Sequence, residues 1–272
     1  MIDRIGCPLC GSKEFKDFLK EEENGVIYSI VKCINCGFVY TFNSHFQTDN
    51  DRSKPQVFKS RRRDKQYIRE FQKVLFYLKN FYKKGAILLD IGCSNGLFLD
   101  MAKDAGYKTK GVEMNIDAAK KAILKGHKVF IGDIVTSELP RYYADIIVMF
   151  HTLEHLHSLS IVLEKIKSLL KQKGILIIEV PNLWHWILQK RFFIKRSLAP
   201  ERHLYHFTPK TLRYLFNKLG FKIVKIEPAN RYDRKGFLDG LIHSTIRIFS
   251  TYFYFFTGYI LSNSMRFYVR ET

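Results

Sequence analysis

Between residues 85 and 230 the chain alternates between two hydrophobic patterns. Short runs, apolar or closed by turn residues, read as strands: Ile87 to Ile91, Lys110 to Glu113, Lys128 to Ile131, Ala144 to Phe150, Gly174 to Val180 and Phe221 to Glu227. Between them apolar residues recur at helical spacing, from Leu97 onward (Phe98, Met101, Ala102), from Asn115 to Lys125, from Ser158 to Leu170 and from Lys210 to Leu219. Strands and helices alternating at this length predict an α/β fold, a doubly wound and mostly parallel sheet covered on both faces. Such a sheet places its chemistry at the carboxyl ends of its strands.

The flanks follow other patterns. Residues 41–56 are polar and without period, and read as a linker. A basic helix is expected from Val57 to Phe81, its apolar side made of Tyr67, Phe71, Val74, Leu75, Leu78 and Phe81. From Ile248 to Met265 no residue is charged, while Phe249, Tyr252, Phe253, Tyr254, Phe255, Phe256 and Tyr259 crowd together. Arg247 precedes this stretch, and Arg266 and Arg270 follow it. A helix from about Leu238 to Leu261 with this composition suits a membrane interface better than a membrane span. A packing or dimer helix is the alternative. No strand is evident after Glu227. The expected organisation is a zinc ribbon at 1–40, a linker and basic helix at 41–84, an α/β domain at 85–232 and an aromatic, basic, helical tail at 233–272.

The most informative segment is Leu89-Asp90-Ile91-Gly92-Cys93-Ser94-Asn95-Gly96-Leu97. A buried strand ends in an acid and a tight glycine turn, and a helix starts at once, which brings backbone N–H groups and a helix N-terminus up to a ligand. At the end of the next strand Glu113 can accept both hydroxyls of a ribose. The unit therefore binds a nucleoside. Only Gly92 and Gly96 occupy the turn, short of the Gly-x-Gly-x-x-Gly of dinucleotide sites, and Asp90 is placed for an ammonium group rather than a pyrophosphate.

These residues resemble the first motif of class I S-adenosylmethionine-dependent methyltransferases. The resemblance implies a cofactor site made of Asp90, Gly92, Cys93, Gly96 and Glu113, with Asp133 and Ile134 at the adenine and His151 at the end of the fourth strand. His151-Thr152-Leu153-Glu154-His155-Leu156 is unlike the Asn/Asp-Pro-Pro-Tyr of adenine and glutamine amino-methyltransferases. It is similar to the group that methylates quinone rings and sugars, as are Glu179-Val180-Pro181-Asn182 and Arg202-His203-Leu204-Tyr205-His206-Phe207-Thr208-Pro209. In that group a catalytic histidine lies in the later loop, where His203 is the best match; His155 and His206 are the alternatives. His45, His127 and His157 read as surface positions.

Cys7-Pro8-Leu9-Cys10 and Cys33-Ile34-Asn35-Cys36 form two knuckles one hairpin apart, the spacing of a tetrahedral structural Zn2+ site. Gly25 to Val31 reads as a strand between them. Disulfides fit this spacing poorly, and a reducing, cytoplasmic setting is expected. The net charge of +19 is concentrated in residues 52–84, at +10, and 185–272, at +11, whereas 85–184 carries only +1. A basic binding face would involve the central region, so the charge points to a flanking surface, where peripheral contact with the inner face of a membrane is expected. The expected partner is a small-molecule or glycan substrate and not nucleic acid. The leading reading is methyl transfer to a sugar hydroxyl in surface polysaccharide biosynthesis. A zinc-ribbon RNA methyltransferase and a non-catalytic S-adenosylmethionine-binding scaffold are the alternatives.

Overall fold

The computed structural model describes residues 6–42, 61–191, 197–229, 249–250 and 252–272. The N-terminal strands β1 (Phe15–Glu23), β2 (Val26–Cys33) and β3 (Val39–Thr41) pair antiparallel. Asn24 and Gly25, both at positive φ, make the two-residue turn between β1 and β2. Asn-Gly is the sequence best suited to the doubly left-handed hairpin turn.

The larger unit begins with α1 (Arg61–Leu78). It continues through β4 (Ile87–Ile91), α2 (Leu97–Asp104), β5 (Lys108–Glu113), α3 (Ile116–Leu124), β6 (Val129–Ile131) and β7 (Ala144–Phe150). A short 3-10 turn at Leu153–His155 leads to α4 (Leu159–Leu169), β8 (Leu170–Pro181) and α5 (Leu183–Arg191). The remaining elements are β9 (Tyr205–His206), α6 (Pro209–Lys218), β10 (Phe221–Ala229) and β11 (Ser264–Glu271). Seven strands form one sheet in the order β10-β11-β8-β7-β4-β5-β6. From β8 to β6 the pairings are parallel, and β11 enters antiparallel between β8 and β10. One face packs Leu159, Val162, Leu163 and Ile166 of α4 against Leu176 and Ile178; the other packs Phe71, Val74 and Leu78 of α1 against Leu88, Ile146 and Ile177.

Strand β11 lies inside the segment expected to be a helical tail. Residues 249–250 and 252–257 are helical as expected, whereas 238–248 and the start of the basic helix, 57–60, lie outside the described residues. The buried amide of Asn182 donates to the carbonyls of Ile260 (2.7 Å) and Ser262 (2.9 Å), fixing the approach to β11. Arg266, expected to flank a membrane-facing helix, is instead fully buried. Its guanidinium donates to Glu179 of β8 (Nε to Oε2, 2.8 Å), Glu70 of α1 (2.9 Å) and Glu227 of β10 (2.7 Å). The Tyr268 hydroxyl also donates to Glu227 (2.6 Å).

The N-terminal strands share their sheet with β9, which pairs with β3. Lys218 Nζ donates to the Leu9 carbonyl (2.9 Å) and Thr41 Oγ1 to that of His203 (2.9 Å). Cys7, Phe38 and Tyr40 belong to the same core cluster as Tyr205 and Phe207.

Replacing Arg266 with Met should lower unfolding free energy by about 3–5 kcal/mol in urea titration, because three carboxylates lose their buried partner. An unchanged midpoint would show that the network adds nothing. Burial opposes ionisation of Glu227, but Arg266 and then Lys225 hold its carboxyl down at about 2. A depressed carboxyl stabilises the fold above its unfolded value near 4.5, and that contribution is lost as pH falls toward 2.

Candidate active site

Two clusters meet at the carboxyl edge of the sheet. The first is the turn after β4. Asp90 is buried and its Oδ1 has no hydrogen-bond partner. Burial, with the charge of Glu113 nearby, pushes its pKa up to about 8. A carboxylate in this state lacks a cation, and an ammonium group brought against Oδ1 would hold it ionised. Gly92 sits at φ 81°, where a Cβ would stand 2.2 Å from Thr152 Oγ1, so only glycine lets the β4 and β7 loops close on each other. Ser94 also holds a positive φ of 50°, and its N–H donates to Glu113 Oε2 (2.8 Å). Asn115 N–H donates to the other oxygen of Glu113 (2.8 Å). The acid at the end of β5 is thus aimed and braced by two backbone amides.

Cys93 packs under the turn, against Gly111. Burial first, then the charges of Asp90 and Glu113, push its thiol far above the usual range, so it is no nucleophile at neutral pH. Gly96 begins α2 at φ 80°, and a Cβ there would stand 2.9 Å from His127 Cδ2. His127 was expected at the surface. It is buried, with Nε2 2.7 Å from Asp100 Oδ1, because the close approach of α2 and α3 at Gly96 encloses it. After β6, the Gly132 N–H donates to the Glu113 carbonyl (3.0 Å), bringing half-buried Asp133 and buried Ile134 to the same edge. Asp133 Oδ1 accepts from Val135 N (2.8 Å).

The second cluster follows β7. His151 takes a positive φ of 54°, a strained setting for a side chain of this size. Its Nε2 donates to Glu179 Oε1 (3.2 Å), and its Nδ1 lies 3.3 Å from Glu154 Oε1. Glu154 is fully buried. Burial opposes its ionisation, but His151, with His155 and His203 close by, brings its pKa down to about 2. His155 Nδ1 donates to the Arg202 carbonyl (2.8 Å), and the Leu204 N–H donates to the Glu154 carbonyl (2.8 Å). These bonds fasten the later loop to the turn after β7 and set the His155 and His203 rings 4.9 Å apart. His206 is placed elsewhere, buried in β9 with Nε2 facing Thr41 Oγ1 (3.3 Å). From sequence, Glu154 and Glu179 had no assigned role, and Arg266 none at this edge. The first two lie in the quoted motifs, and only the sheet order reveals their link to the third.

Away from this edge the sulfurs of Cys7, Cys10, Cys33 and Cys36 lie within 4.8 Å of one another. Cys7 to Cys36 and Cys10 to Cys33 measure 3.6 Å, far beyond a disulfide. Tetrahedral Zn–S bonds of about 2.3 Å require sulfurs roughly 3.8 Å apart, which this set matches. Gly11 and Gly37, at φ 82° and 75°, donate back to the carbonyls of Cys7 and Cys33 and close the two knuckles.

A seven-stranded, mostly parallel sheet with a glycine turn after its central strand and an acid on the next strand is the architecture of a nucleoside-binding α/β domain. The chain matches the methyltransferase domain family over residues 59–226 and belongs to that family. It is 30% identical over 155 residues to an uncharacterized protein of Methanocaldococcus jannaschii, the match covering 57% of this chain and 63% of that one. It is also similar to a SAM-dependent methyltransferase of known structure from Archaeoglobus fulgidus (25% identity, TM-score 0.51, 74% of this chain and 94% of that one). The fold is shared with magnesium protoporphyrin IX methyltransferase from Synechocystis, solved with bound SAH (12% identity, TM-score 0.56, 82% and 93%).

On the expectation that Glu113 accepts both ribose hydroxyls, Glu113→Ala should weaken S-adenosylmethionine binding by about 2–4 kcal/mol, the loss of two charge-assisted hydrogen bonds. Titration calorimetry measures this directly, and unchanged affinity would remove Glu113 from the site.

Proposed function

We propose that the enzyme methylates a hydroxyl of a small-molecule or glycan acceptor, with a sugar of a surface polysaccharide or its precursor as the favoured substrate. The cofactor supplies a methyl group on a sulfonium. In this reading Asp90 holds its amino group, Glu113 its ribose hydroxyls, and Asp133 with Ile134 its adenine. The observation that carries the reading is the imidazole pair His155 and His203 at the cofactor edge. A hydroxyl must lose its proton to accept a methyl group, and neutral imidazole takes protons at physiological pH. Burial lowers the pKa of His203 to about 4 against the opposing pull of Glu154, so its ring is neutral at pH 7. Donation from His155 Nδ1 to the Arg202 carbonyl leaves Nε2 of that ring as the free acceptor.

His203→Ala should reduce kcat by about 10²–10⁴ with cofactor affinity unchanged. In the wild type the acid limb of the kcat/KM profile should fall near pH 4 rather than at an ordinary histidine value. Near wild-type turnover in the variant would move proton removal to another group.

The four cysteines fit a structural Zn2+ ion, since four thiolates leave no position for substrate. Because β3 pairs with β9, loss of the metal should reach the loop that carries His203. Cys33→Ser should therefore depress kcat more than cofactor affinity, as β4 and β5 belong to the other sheet and do not pair with a ribbon strand. Equal losses of both would indicate global unfolding, and no loss of either would show that the ribbon is dispensable.

Peripheral contact with a membrane carrying a lipid-linked acceptor is supported by the exposed rings of Phe249, Tyr252, Phe255 and Phe256, the third 82% exposed. Among the described residues no helix is long and apolar enough to cross a membrane. Phe255→Ser with Phe256→Ser should reduce co-sedimentation with anionic liposomes at low salt; a wild-type chain that stays in the supernatant would exclude this surface. Truncation at Glu227 is unsuitable, because it removes β11 from within the sheet.

A further inference from the structure

Strand β6 ends the seven-stranded sheet, and among the described residues no strand pairs with its outer side. Its inner side is fixed by the parallel register with β5. There the Gly111 N–H donates to the Lys128 carbonyl (2.9 Å) and the Gly132 N–H to the Glu113 carbonyl (3.0 Å). Backbone groups point to alternate sides along a strand, so the N–H and C=O of Val129 and Ile131 face outward. Sheet edges are ordinarily protected by charge, by proline or by a covering helix. This one instead presents Phe130 and Ile131, both exposed.

Helix α3, which packs over β5 and β6, extends the same surface. Ala118, Ala119 and Ala122 are its buried side, and Lys125, just past its end, reaches Asp100 of α2 (2.8 Å). At 3.6 residues per turn, Ile116 and Ile123 therefore project away from α2, toward the free edge of the sheet. Both are exposed.

We propose that the outer edge of β6 and the adjoining side of α3 pair with the same surface of a second copy of this chain, in an antiparallel two-fold contact that joins the two sheets. The surface is self-complementary. With Phe130 on the axis, Val129 of each copy lies opposite Ile131 of the other, and these are the residues whose N–H and C=O groups face outward. Each such pair exchanges both hydrogen bonds, so every outward group of the strand is satisfied. Phe130 then stands directly opposite its own copy in a non-hydrogen-bonded pair, the position of closest side-chain approach. Strand spacing of about 4.8 Å sets the two α3 helices about 10 Å apart, the distance of packed helices, and brings Ile116 and Ile123 against their copies. Charge agrees with this pairing. Lys128 precedes β6 and Asp133 follows it, so the basic end of one strand meets the acidic end of the other. A strand of another protein could take up the edge hydrogen bonds, but the match of Val129 to Ile131, of Phe130 to itself and of α3 to α3 belongs to two copies.

Sedimentation equilibrium of the full-length protein should give twice the mass of the chain. Ile131→Pro removes an outward N–H and no bond to β5, and should weaken the dimer by about 100-fold, since a backbone hydrogen bond is lost on each side of the axis. Ile123→Lys changes the helix side alone and should also weaken it; circular dichroism reports the folding of both variants. Hydrogen exchange of the wild type gives a reading that needs no variant. The Val129 and Ile131 amides should be protected at high protein concentration and should exchange faster on dilution. A wild type that stays monomeric at high concentration would overturn the proposal. So would a dimer undiminished in folded Ile131→Pro and Ile123→Lys, or exchange at these amides that is independent of concentration.

Discussion

The buried guanidinium of Arg266 is the interaction on which the active-site edge depends. One cation from the last strand meets carboxylates from β8, β10 and α1, elements drawn from the whole length of the domain. Each carboxylate would be expensive to bury alone, and together they require this one partner. The chain of contacts continues from Glu179 to His151 and from His151 to Glu154, so the charge balance of the core runs into the turn that holds His155. The last strand is therefore as much a part of the site as the glycine turn. It anchors the acid that positions the histidine.

Around this anchor the turn after β4 and the turn after β7 are prepared differently. Glu113 is already held by two amides, whereas Asp90 has an oxygen with no partner and a pKa raised toward neutrality. In the proposed reading the acid for the ribose is in position, and the acid for the ammonium waits for its cation. The loop carrying His203 is held between the turn after β7 and strand β3. The N-terminal strands thus support the loop that carries His203, which gives a physical reason for their place beside the α/β sheet.

Much of this was legible in the sequence because the signals were local. The apolar runs and helical periods from Ile87 to Glu227 correspond to strands and helices of the sheet. The Gly92 turn and Glu113 were readable from residue type and spacing alone, as was the convergence of the four cysteines. What escaped the reading was set by distant partners. Strand β11 sits between β8 and β10, and its Ser-Met-Arg-Phe-Tyr-Val-Arg pattern is ambiguous until those neighbours are known. Arg266, read as a flanking charge, is satisfied only by acids on three other elements. The two-residue strand β9 has no pattern of its own and exists because β3 offers it an edge. His127 was misplaced because its burial follows from the close approach at Gly96.

The coupling of Arg266 through Glu179 to His151 can be tested by observing the histidine rings directly. Side-chain 15N NMR of the wild type and of Glu179→Gln compares His151 with His127, whose partner Asp100 is outside the network. The account predicts that the His151 resonances shift and broaden in the variant while those of His127 stay fixed. Unchanged His151 resonances in a folded Glu179→Gln protein would contradict it.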